Sequence, residues 1–166
     1  KVVHSYLPKV VHCYLPVTIG EFNQKDEHLK KILDTSQTEK IINEISERLW
    51  VIVRNESKHE FITSDNPVVK HTHRDRSHHA FELFIPFTPK LGLMILIRSE
   101  FQDLLPFENR TAFILKESEG ARFYNQLQIV QSTRQVFSKS GDFRLAIKML
   151  SENPILGDLN RQRFEV

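Results

Sequence analysis

The run Leu91-Gly-Leu-Met-Ile-Leu-Ile97 constrains this chain more than any other feature, because it is apolar at nearly every position. Neighbouring residues of a strand point to opposite faces, so a strand of this kind needs apolar cover on both. A membrane helix would take ~20 such residues, and Arg98 ends this run. The segment is therefore expected in the middle of a sheet. Phe81-Glu-Leu-Phe-Ile85 precedes it, and Pro86, Pro89 and Gly92 punctuate the connection, which predicts a hairpin.

Other segments fill in an α+β pattern. Trp50-Val-Ile-Val53 has strand character, Asn55 to His59 is turn-like, and Phe61-Ile-Thr63 resumes a strand, which predicts a second hairpin. Ala112-Phe-Ile-Leu115 is a further strand candidate. Asp26 to Leu33 has helical spacing, and Ser36-Gln-Thr-Glu39 matches a capping box. Behind the box, Ile41, Ile42, Ile45 and Leu49 form an apolar stripe. A second helix is expected from about Glu119 to Phe137, with Gln126, Gln128, Gln131 and Gln135 on a solvated side. The alternative for these amides is a polar groove over the sheet, with Asn125 and Arg134 facing Asp65. Asp142 is placed to cap a last helix through Leu150. The whole reads as an α+β domain built on an antiparallel sheet of about five strands, with helices packed mainly on one face. Residues 1–25 read as a loosely constrained segment, 26–153 as the domain and 154–166 as a polar tail.

The N-terminal segment carries a tandem repeat, KVVHSYLP over Lys1–Pro8 and KVVHCYLP over Lys9–Pro16, too short for a solenoid. The first residue is not Met, which suits the rear portion of a longer protein whose front half would be a natural partner. A chain of 166 residues can bury one core without metals or disulfides. The single Cys13 excludes an intramolecular disulfide and suits a reducing, cytoplasmic setting. No signal peptide or membrane span is visible. The net charge of +2, with no basic block, argues against nucleic acid, although a fold can gather dispersed charges.

The most informative stretch is Phe61-Ile-Thr-Ser-Asp-Asn-Pro-Val-Val69. A strand delivers Ser64, Asp65 and Asn66 to a point where Pro67 forces a turn or an extended exit. On the structural side, Asp65 would fold onto backbone N–H groups in an Asx-turn. On the functional side, Asp65 and Asn66 are catalytic candidates for metal-assisted hydrolysis, and Ser64, Asn125 and Arg134 are ligand-binding candidates. Hydrolysis would want a second carboxylate or His, and Glu60 and Glu82 are available in sequence. His71 and His73 would put both rings on one face of a strand and are metal candidates, but the segment also reads as a solvated loop. Gly-rich phosphate loops, Gly-x-Ser-x-Gly elbows and His-Glu-x-x-His helices are absent from the sequence.

Trp50-Val-Ile-Val53, Phe61 to Val69, Ile85-Pro-Phe-Thr-Pro-Lys-Leu-Gly-Leu-Met94, Phe123-Tyr-Asn-Gln-Leu127 and Val136-Phe-Ser138 together resemble the rear half of a largely bacterial family. That family is domain-of-unknown-function family 4238, and the resemblance runs from about Trp50 to Phe143. It implies no reaction or cofactor, and marks Asp65, Asn66 and Asn125 for testing. The leading expectation is a non-catalytic accessory or binding module for a protein partner or a polar ligand, with no required cofactor. The alternative is a hydrolase or nuclease using Asp65 with a divalent metal. A structural remnant of a longer protein is a third reading.

Overall fold

A computed structural model of the chain describes residues 35–73, 81–108 and 112–161, with backbone alone at 35–37. The N-terminal repeat, the Asp26 to Leu33 stretch, His78 and His79 lie outside the described residues.

The elements are α1 (Thr35–Ser46), β1 (Leu49–Asn55), β2 (Thr63–Ser64), β3 (Val69–Thr72), β4 (Phe81–Thr88), β5 (Leu91–Leu96), β6 (Phe113–Leu115), α2 (Ser118–Gln131), β7 (Val136–Phe137) and α3 (Arg144–Glu152). Short 3-10 turns cover Gln102–Phe107 and Pro154–Gly157. Five strands form one sheet in the order β3-β4-β5-β1-β6, and β2 pairs with β7 in a small second sheet. The large sheet is antiparallel except where β1 meets β6. The fold is α+β. As its two-sided apolar pattern requires, β5 is the central strand, and Leu93, Met94, Ile95 and Leu96 are all buried.

The hairpin of β4 and β5 forms where expected and turns at Pro89 and Lys90. Thr88 Oγ1 holds the turn by accepting from the backbone N–H of Lys90 (3.2 Å) and Leu91 (3.0 Å). The other expected hairpin does not form. β1 lies between β5 and β6, while β2 is drawn into the second sheet. Between them Asn55 is buried and closes the turn on itself. Its Oδ1 accepts from Ser57 N (3.0 Å) and Ser57 Oγ (2.7 Å), and its Nδ2 donates to His59 O (2.7 Å). The chain leaves this turn toward Pro89, whose carbonyl accepts from Phe61 N–H at 2.9 Å.

Buried and exposed residues alternate strictly along β1. Leu49, Val51 and Val53 face the main core with Val69, Phe84, Met94, Leu96, Ala121 and Tyr124. Leu49, expected on the α1 stripe, is thus a strand residue. On α1 itself Ile41 and Ile42 are exposed, at 55% and 57%. A smaller cluster of Ile62, Ile129, Ala146 and Leu156 sits beneath α3.

Two boundaries differ from expectation. α2 ends at Gln131, and Val136-Phe137 is a strand paired to β2. The chain after Pro154 reads as a polar tail, yet Leu156 is buried and Arg161 Nη2 donates to the carbonyls of Val130 (3.0 Å) and Ser132 (2.9 Å). A helix leaves its last carbonyls without intrahelical partners, and a cation there also suits the helix dipole.

Candidate functional site

The Ser64–Pro67 turn is held from one side by α2. Asn125 Oδ1 accepts from Ile62 N–H (3.0 Å) while its Nδ2 donates to Glu60 O (2.8 Å). One turn on, Gln128 Oε1 accepts from Ser64 Oγ (2.8 Å) and its Nε2 donates to Pro67 O (2.8 Å). One turn further, Gln131 Oε1 accepts from Lys70 N–H (2.9 Å) and its Nε2 donates to Lys70 O (2.8 Å). A carboxamide offers a donor and an acceptor side by side, so it can stand in for a neighbouring strand. Residues 60–70 have buried backbone groups that need such partners. This is why Gln128 and Gln131 are buried where a solvated side was expected. Gln126 is exposed, as expected.

Asp65 lies where β2 ends, as the sequence indicated. Its carboxylate does not reach two residues ahead, since Pro67 has no N–H to offer. Instead Oδ1 accepts from Thr133 N–H (2.8 Å) and Oδ2 from Arg134 N–H (2.7 Å), just past α2. The local turn is made by Ser64, whose Oγ accepts from Asn66 N–H at 3.2 Å. Asn66 Nδ2 donates to Gln131 O (3.2 Å), satisfying a carbonyl of the last turn of the helix. The structure thus brings Ser64, Asp65 and Asn66 against α2 and the turn after it. Arg134 meets Asp65 through its backbone, and its side chain is exposed. Asn125 faces Glu60 and Ile62 rather than Asp65.

Asp65→Asn is therefore expected to lower stability by about 1–2 kcal/mol, in the range of a lost helix cap. The new amide would turn an N–H donor toward a backbone N–H. A thermal melt should show a fall of several degrees, whereas an unchanged melting temperature would mean that the carboxylate does not hold this turn.

His71 lies on β3 opposite Glu82, and His73 follows the end of the strand. Their rings share one face with centroids 4.7 Å apart. His73 Nε2 sits 2.9 Å from Glu82 Oε2, and its ring packs on Phe101. Glu82 is buried, and its Oε1 has no hydrogen-bond partner among the described residues. Burial pushes the Tyr124 phenol well above its ordinary pKa, and the nearby Glu82 charge pushes it further. The Tyr124 hydroxyl donates to Met94 Sδ at 3.1 Å. No group of three or more His, Cys, Asp or Glu among the described residues could hold a metal ion.

A cavity of about 780 Å³ lies elsewhere. The Asn55 turn presents Lys58, His59 and Glu60 to it, the hairpin turn presents Lys90, and α2 presents Arg122. Asp142, Arg144 and Lys148 close the far side. Gly141, at φ 71°, allows the reversal that brings Asp142 there. Five Lys and Arg side chains thus face two carboxylates. Asp142 is matched by Arg144, whose Nε and Nη2 donate to it at 2.9 and 2.6 Å. These bonds hold the Asp142 carboxyl at about 2, so it is ionised at neutral pH. Among the described residues, neither Lys58 nor Arg122 has an ion pair. Sequence reading missed this cavity because its cations are spread from residue 58 to residue 148.

The family model described as Protein of unknown function (DUF4238) matches residues 11–142. The chain belongs to that family. The DUF4238 match includes the Ser64–Pro67 turn and all of α2, and it begins well ahead of Trp50, where the motifs that carry the resemblance start. None of the curated proteins and none of the solved structures matches the chain. No helix among the described residues is long and apolar enough to cross a membrane.

Proposed function

We propose that this DUF4238 chain is a non-catalytic binding module for a polar, anionic ligand seated over Arg122. The observation that carries this reading is the cavity of about 780 Å³ with its surplus of positive side chains, Lys58 and Arg122 among them with no ion pair among the described residues. Clustered cations in a concave site raise the local concentration of anions. A reducing cytoplasm, where the lone Cys13 needs no partner, is the setting assumed. The metal-assisted hydrolase or nuclease reading has less support. Both oxygens of Asp65 accept from backbone N–H groups, which leaves poor geometry for a metal or an attacking water.

Calorimetric titration of the intact chain with inorganic phosphate tests the proposal. Arg122→Gln should weaken binding about tenfold, the effect of one lost charge contact. Equal affinity in the two proteins would remove Arg122 from the site, and no binding by the unaltered chain at millimolar phosphate would overturn the reading.

A protein partner is a second reading, favoured by the exposure of Ile41 and Ile42 on α1 and of Trp50 and Ile52 on the outward side of β1. An unfilled apolar strip of this kind should drive weak self-association. Sedimentation velocity showing a strict monomer up to millimolar concentration would count against it.

A further inference from the structure

Beside the cationic cavity lies a smaller cleft of about 220 Å³. Phe61, Pro86, Phe87, Pro89 and Phe137 line it, with Lys139 at its edge among the polar residues. The cleft and the cavity share two lining residues, Ile62 and Ser138. Both shared residues are largely buried, and the two spaces adjoin at them. Ile62 is held by Asn125 through its backbone N–H, and Ser138 Oγ lies 3.2 Å from Ser140 Oγ.

The backbone around the cleft is unusual in one respect. β4 loses register between Pro86 and Thr88: Pro86 pairs with Gly92 and Thr88 with Leu91, so Phe87 is left without a cross-strand partner. A bulge of this type re-aims the extra side chain and recurs beside binding sites. Here it leaves a large ring 57% exposed between two prolines at the rim of the cleft. Proline rings are rigid, so such a wall loses little freedom when a ligand covers it. A space of about 150 Å³ is enough for a benzene ring.

We infer that the cavity and the cleft are two halves of one site, and that its ligand is an amphipathic oxyanion. The carboxylate or phosphate end would sit near Lys58 and Arg122, and an aryl or branched acyl group would fill the cleft against Phe87, Pro89 and Phe137. This rests on the anion-binding reading above and adds the apolar half. A small inorganic anion gains only its charge contacts in the cavity. Apolar area removed from water adds affinity in proportion, and one ring accounts for roughly ten- to fiftyfold.

The test is titration of the intact chain with three probes: inorganic phosphate, phenyl phosphate and phenylacetate. Phenyl phosphate is expected to bind roughly ten- to fiftyfold more tightly than inorganic phosphate. Phe87→Ser should bring that ratio close to one, and Phe87→Leu should keep part of it. Because Phe87 is largely exposed, both variants should melt near the unaltered chain, which a thermal scan confirms. Tighter binding of phenylacetate than of phenyl phosphate would assign the anionic end to a carboxylate, and the reverse to a phosphate ester. If phosphate binds and its phenyl ester binds no better, the cavity takes anions but the two halves are not one site. They are likewise separate if Phe87→Ser leaves the ratio intact. If none of the probes binds, the anion-binding reading itself fails and this inference falls with it.

Discussion

Phe84→Ala should destabilise the domain by about 3–5 kcal/mol, the usual cost of emptying a core aromatic site. Phe84 is 1% exposed and touches three separate parts of the fold. It stacks on Tyr124 of α2 with centroids 3.9 Å apart and rings 19° from parallel. Its edge meets Phe61, ahead of β2, at 5.0 Å. Across the sheet it lies over Gly92, where an added Cβ would fall 2.5 Å from Phe84 Cζ. One ring therefore joins the β4–β5 hairpin, the long helix and the segment leading to the Ser64 turn. Urea or thermal unfolding gives the measurement, with a fall of roughly 10 °C expected for a domain of this size. The contact with Gly92 supplies an internal control. Gly92→Ala alone should cost about 1–3 kcal/mol by overpacking. In the Phe84→Ala background it should cost much less, because contacting sites are not additive. An equal cost in both backgrounds would show that Gly92 is not kept small by Phe84.

The second large effect is expected at Gln128. Its side chain is fully buried, and its amide joins Ser64 Oγ to Pro67 O. Gln128→Leu keeps most of the volume but leaves the Pro67 carbonyl without this donor. An orphaned buried polar group costs about 1–3 kcal/mol. Gln128→Ala adds a cavity and should cost about 2–4 kcal/mol. Were Gln128 a solvated helix residue, either change would fall within about 0.5 kcal/mol. A double-mutant cycle with Ser64→Ala should yield a coupling of about 0.5–3 kcal/mol if the pair acts together. Additive effects would mean that the amide does not hold the turn through Ser64.

Asp65 and Gln128 show how far sequence reading carries. The position of Asp65 at the end of a strand was legible, because Pro67 and the preceding Phe61-Ile-Thr63 bound it locally. Its partners, Thr133 and Arg134, lie 68 and 69 residues away. The amides of the expected second helix were visible as a polar side made of Gln126, Gln128, Gln131 and Gln135, but spacing says only that such residues share a region of a helix. Whether that region meets water or an unpaired backbone depends on what packs against it. The same limit applies to the cationic cavity: Lys58, Lys90, Arg122, Arg144 and Lys148 are unremarkable neighbours in sequence and become one surface only after folding.

What the chain determines by itself follows from short-range patterns: the two-sided apolar run of β5, the strand character of Trp50–Val53, the turn at Pro89, and a polar residue set before Pro67. These depend on backbone geometry and on side-chain direction within a few residues. Tertiary structure alone decided that β1 pairs with β5 and β6 instead of β2, that two glutamines are core residues, and that Phe87 is turned out beside a basic cavity. Each of these is a choice of partner among groups distant along the chain. Such choices are made by buried polar groups needing hydrogen bonds and apolar surfaces needing cover, and neither requirement names its partner in the sequence.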